Sequence, residues 1–95
     1  MKVFLISFDP TKTDANALHE VINNSQNITD WWHFINSAYL VVAKTSLTPL
    51  TNIQNELISK WPGQRFLIIE VLPSNHNGWL PQEAWNWINK YRPKK

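Results

Sequence analysis

Few residues in this chain combine a reactive side chain with a placement that could use it, and the first of them is Asp9. It closes the apolar run Val3–Phe8 and is followed at once by Pro10, so it sits where a strand should stop. A carboxylate at a strand end can hold Mg²⁺ or Mn²⁺ through oxygen and water, and such an ion supports phosphodiester hydrolysis. Reading the strand ends places Asp30, Lys44 and Arg65 at the same edge as Asp9, which would give a charged corner. One Asp cannot complete a metal site, so a partner carboxylate from a second copy is expected. The alternative is that Asp9 caps a turn before Pro10 and pairs with a nearby Lys or Arg.

The imidazoles come next. His33 follows Trp31-Trp32 and could act as a general base or a phosphate partner, because its ordinary pKa lies near neutrality. As a strand residue it could equally be a half-buried packing group, on the side of Trp31 and Ile35 and opposite Trp32 and Phe34. His19 falls on the polar side of a helix and is expected to be solvated. His76, in Asn75-His76-Asn77-Gly78, is expected at the far end of the sheet from Asp9. No two histidines have the spacing of zinc ligands, and nucleophile-elbow, phosphate-loop and dinucleotide signatures are missing. Of the tryptophans, Trp61 and Trp87 fall on apolar helix sides and read as core. Trp79 and Trp85 could cover the sheet or a dimer seam, or stack on bases.

Seven elements must position these groups. Val3–Phe8 reads as a strand, and Asp14 is an N-cap for a helix with Leu18, Val21 and Ile22 on one side, closed by Asn23-Asn24-Ser25. Ile28–Ile35 and Ala38–Ala43 read as a hairpin turning at Asn36-Ser37. Thr48-Pro49 opens a second helix whose Leu50, Ile53, Leu57, Ile58 and Trp61 recur at helical period, and Pro62-Gly63 stops it. Arg65–Leu72 is a fourth strand. Beyond a polar loop, Pro81 starts a short helix carrying Ala84, Trp87, Ile88 and Tyr91 on one side.

The order β-α-β-β-α-β predicts an α+β domain of the ferredoxin-like (split βαββαβ) kind. Its four-stranded, antiparallel-rich sheet has strands one and three in the middle and the two long helices on one face, with a short C-terminal helix added. Residues 1–95 form one domain, with 73–95 as its C-terminal extension. Several strands are apolar on both sides, whereas a sheet half open to water should alternate. The second face is therefore expected to be covered, by the C-terminal segment or by a second copy. A homodimer is the simpler closure.

Composition narrows the partners. The net charge of +2 hides a division: Lys90, Arg92, Lys94 and Lys95 lie in the last six residues, leaving five Lys or Arg against seven acids elsewhere. A body with a balance of −2 lacks the broad basic face that grips duplex phosphates, so any nucleic-acid contact would be local or use the tail. No cysteine is present, which excludes disulfides and thiolate metal sites and fits a reducing cytoplasm. The apolar runs are strand-sized, far short of the ~20 residues of a membrane helix, and no signal peptide is read before the first strand.

The string FLISFD at Phe4–Asp9, then Trp31-Trp32-His33 and Asn36-Ser37-Ala38-Tyr39-Leu40-Val41, resembles short bacterial proteins labelled SinR-like. Those are related to the small CRISPR-associated metal-dependent endonuclease of the spacer-acquisition complex and to virulence-associated protein D. The resemblance spans roughly Lys2 to Ile88. It implies a ferredoxin-like homodimer in which Asp9 faces its counterpart and binds a divalent metal, and Ser37 matches the serine that opens strand three in the nucleases. Where those carry several arginines after the aspartate, this chain has Pro10-Thr11-Lys12.

The leading expectation is thus a dimeric, Mg²⁺- or Mn²⁺-dependent nuclease-like protein acting on RNA or DNA. Asp9 is its metal ligand and catalytic group, with His33 and Ser37 beside it and Lys12, Lys44 and Arg65 contacting phosphates. The main alternative is a noncatalytic dimeric interaction module, an antitoxin or scaffold in a defence or mobile-element system. Single-stranded nucleic-acid binding through exposed Trp and the basic tail is a third.

Overall fold

A computed structural model describes residues 2–72 and 78–91. The expected elements all form: β1 (Val3–Phe8), α1 (Ala15–Asn23), β2 (Ile28–Ile35), β3 (Ala38–Ala43), α2 (Pro49–Lys60), β4 (Phe66–Val71) and α3 (Gln82–Lys90). The strands lie in the order β2-β3-β1-β4, with every neighbouring pair antiparallel, giving the ferredoxin-like α+β sandwich. His76 and the tail residues Arg92, Lys94 and Lys95 lie outside the described residues.

Local chemistry sets the boundaries. The Asp14 carboxylate accepts the Ala17 N–H at 3.0 Å and so satisfies one of the free donors at the start of α1. Thr48 precedes α2 but its side chain makes no cap bond; its hydroxyl instead donates to Asn52 Oδ1, and Pro49 supplies a first-turn residue with no N–H to satisfy. After α2 the chain turns through Gly63, whose φ of +75° suits a residue without a Cβ.

The core lies between the sheet and the two long helices. Phe4, Ile6 and Phe8 of β1 and Tyr39, Val41 and Ala43 of β3 pack with Leu18, Ile22, Ile53, Leu57 and Trp61, all of them buried. Removing this apolar area from water is the main driving term for the fold. On the second face, the cross-strand rows read Asp30–Val42–Val3–Val71 and Trp32–Leu40–Leu5–Ile69, followed by Ser7 beside Ala38 and Leu67. Helix α3 packs against β2 on this face. Its Ala84 and Ile88 are buried, as are Trp32, Val42 and Val3. The expected cover is therefore half present. The β1–β4 side remains open, with Leu67 57% and Ile69 46% exposed and Leu5 and Val71 half-buried.

Candidate functional site

Antiparallel register decides which candidates meet. Phe8 stands opposite Phe66 in β4, Ser7 opposite Ala38 in β3, and Ile35 of β2 opposite Ala38. The end of β1 thus lies beside the starts of β3 and β4, which brings Asp9, Ser37, Arg65 and the His33 end of β2 together. The Phe8 N–H donates to the Ser37 carbonyl at 2.9 Å, fixing that junction. Lys12 follows in the loop leading to α1.

Lys44 and Asp30 do not belong to this group, which corrects the expected charged corner. Asp30 pairs with Val42, Val42 with Val3, and Ile28 with Ala43, so both residues sit at the opposite end of the sheet. Where neighbouring strands are antiparallel, the end of one meets the beginning of the next, not its end. Lys44 instead donates its N–H to the Asn27 carbonyl at 2.8 Å and, with Lys2, Thr45, Ser46 and Pro49, lines a depression of about 130 Å³.

Asp9 itself is fully exposed and already occupied locally. Its Oδ1 accepts from the Thr11 hydroxyl at 2.7 Å and the Thr11 N–H at 2.9 Å, while its carbonyl accepts from the Thr13 hydroxyl and the Lys12 N–H. This is an Asx turn bridging β1 to α1. The Thr11 hydroxyl, then the Thr11 N–H and the Lys12 charge, hold the carboxyl below its ordinary value. An ionised carboxylate is the form a divalent ion requires, yet among the described residues no group of three or more His, Asp or Glu converges to hold one. A metal bound at Asp9 would take its remaining ligands from water, a nucleic-acid phosphate or a second copy. Arg65 and Asp9 form no ion pair; the pairs among described residues are Lys2–Glu70, Lys60–Glu56 and Lys90–Asp30.

His33 packs rather than standing free. Its ring stacks on Tyr39 at 3.9 Å between centroids with a 1° interplanar angle, and its Nδ1–H donates to the Ala38 carbonyl at 2.9 Å. A carbonyl can only accept, so Nδ1 carries a proton in this contact. His19, expected to be solvated, is half-buried: Nδ1 shares a 2.8 Å hydrogen bond with the Tyr39 hydroxyl, and Trp31 meets the ring edge-on at 5.1 Å. The cause is long-range. Tyr39 stands in a central strand and its hydroxyl, desolvated in the core, reaches across to α1; burial also raises its pKa.

Two further polar constellations carry no local sequence signal. The Glu56 side chain is only 8% exposed and accepts from the Ser25 hydroxyl, the Asn27 amide and the Lys60 ammonium, tying α2 to the loop between α1 and β2. At the other face, Asp30 accepts from the Tyr91 hydroxyl and the Trp31 N–H and pairs with Lys90 at 3.6 Å, pinning α3 to β2. Partial burial pushes the Asp30 carboxyl up, but the Tyr91 bond, then weaker pulls from Trp87 and Trp31 and the Lys90 charge, bring it below its ordinary value. The Trp87 N–H acts from nearby without meeting hydrogen-bond geometry, and like that of Trp32 it is buried without a partner. In return, burial and then the Asp30 carboxylate push the Tyr91 hydroxyl up to about 12.

No family model, curated protein or solved structure matches this chain. No helix among the described residues is long and apolar enough to cross a membrane.

Proposed function

We propose that this protein is a noncatalytic, homodimeric interaction module working in the cytoplasm, in which two copies meet at the apolar strip left open beside α3. The observation that carries the proposal is the strip itself: Leu5, Leu67, Ile69 and Val71 share the uncovered half of the second face. Scattered exposed apolar residues are ordinary, but a contiguous set across two hydrogen-bonded strands marks an interaction surface. The strip bears no charge, so two copies can meet without opposing like charges. A nucleic acid finds no cation on it. The test is sedimentation velocity of the purified protein across a micromolar concentration series. A reversible dimer is expected, and a monomer at every concentration overturns the proposal.

A second reading, a divalent-metal-dependent nuclease related to the small CRISPR-associated endonucleases, is favoured by the gathering of Asp9, Ser37, His33 and Arg65 at one end of the sheet. In it, Asp9 holds Mg²⁺ or Mn²⁺ together with ligands from a second copy, and Lys12 and Arg65 meet RNA or DNA phosphates. Labelled RNA and DNA incubated with either ion, beside an Asp9→Ala control, test it. Cleavage that survives the substitution removes Asp9 from the chemistry.

A further inference from the structure

The two edges of the sheet are built differently. Edge strand β2 is irregular: its pairing with β3 shifts register between Ile28 and Asp30 and again between Trp32 and Ile35. Bulges of this kind twist an edge away from a regular ladder, and α1 and α3 also pack against β2. Edge strand β4 has α2 packed on its core side but neither a register shift nor a described helix on its second face. Its six residues, FLIIEV, pair with β1 in unbroken register from Val3↔Val71 to Phe8↔Phe66, and contain no Pro, Gly or Lys. Among the described residues it has no neighbour on its outer side, so half of its backbone N–H and C=O groups face outward as a template for another strand.

We infer that the second copy joins through β4, antiparallel to its counterpart, so that the two sheets form one continuous eight-stranded sheet. This inference rests on the dimer proposed above and names its contact. A two-fold axis perpendicular to the sheet keeps the helices of both copies on one side and sets odd-numbered residues opposite odd-numbered ones. Leu67, Ile69 and Val71 of the two copies then flank one another, and the two open strips merge. A register centred on Ile68 sets Glu70 opposite Phe66, and one centred on Ile69 sets it opposite Ile68. Both keep the two Glu70 carboxylates apart, and each Glu70 already pairs with its own Lys2 at 3.2 Å. Because each protomer offers one regular edge, the same contact used by both copies closes the assembly at two and leaves only the irregular β2 edges at its ends.

The chain has no cysteine, so a single introduced thiol can oxidise only with its own counterpart. Directly opposed residues in an antiparallel pair have Cα atoms ~4.5–5.5 Å apart, within the range a disulfide spans. Ile68→Cys, Ile69→Cys and, as the control, Leu5→Cys in the central strand are to be oxidised and run on non-reducing gels, with sedimentation of the reduced forms. A covalent dimer from at least one β4 variant and none from Leu5→Cys is the expected result. A sedimenting dimer that cross-links through Leu5→Cys, or through no β4 variant, overturns the edge contact while leaving the dimer intact. A monomer throughout, including one that accepts an extended segment of another protein instead, overturns both.

Discussion

Removing the Tyr91 hydroxyl tests how α3 is held. Tyr91→Phe keeps the ring beside Trp87, whose centroid is 4.7 Å away, and deletes only the bond to the Asp30 carboxylate. A hydrogen bond to a charged group is worth ~1.5–3 kcal/mol, and partial exposure of this one trims the expected loss to about 1–2 kcal/mol. For a domain of this size that lowers the melting temperature by roughly 5–15 °C. The pH dependence supplies the sharper check. Asp30 is shifted below its ordinary 3.8, so its contribution is present above that value and is lost as pH falls through the lower folded one. Tyr91 is raised from 10.0 to about 12, so its contribution is present below pH 10 and is lost as pH rises through about 12. The gap between wild type and variant is therefore widest on the plateau between and narrows in acid. Thermal unfolding followed by circular dichroism at neutral pH and at about pH 2.5 measures both. An equal gap at the two pH values, or none at neutral pH, refutes the pinning of α3 by Asp30.

Other substitutions probe the remaining elements. Glu56→Ala removes the acceptor shared by Ser25, Asn27 and Lys60, and should lower the urea midpoint by an amount equal to ~1–3 kcal/mol with an unchanged slope. Ile53→Ala, at a fully buried position of α2, should cost ~2–5 kcal/mol in the same titration. Ile58→Ala on the exposed side of that helix should stay within ~0.5 kcal/mol.

Much of the fold was legible because each element carries its own period and punctuation. Asp14 before a helical repeat, Pro62-Gly63 after one, and Asp9-Pro10 closing an apolar run all act over a few residues, and all mark boundaries in the structure. The two-sided apolarity of the strands also announced a covered second face. How that cover is divided, α3 over β2 and nothing described over β4, depends on where a short helix docks, which local pattern does not encode. Less of the site is legible. The end of β1 and the start of β4 bring Asp9 and Arg65 to one end of the sheet, as the strand ends suggest, whereas Lys44 and Asp30 fall at the other end because antiparallel direction, which a list of strand ends does not carry, decides which ends meet. His19 lay on the polar side of its own helix, and only the distant Tyr39 hydroxyl made it a core-lining residue.

In the proposed dimer, the open strip on β1 and β4 is where two copies meet. Its most direct test is sedimentation velocity of the double variant Leu67→Lys/Ile69→Lys beside the wild type, with circular dichroism to confirm that both are folded. These side chains are 57% and 46% exposed, so the fold should tolerate the lysines while the interface does not. A dimeric wild type and a folded, monomeric variant are expected; a variant that sediments as a dimer with wild-type affinity rules out this strip as the contact.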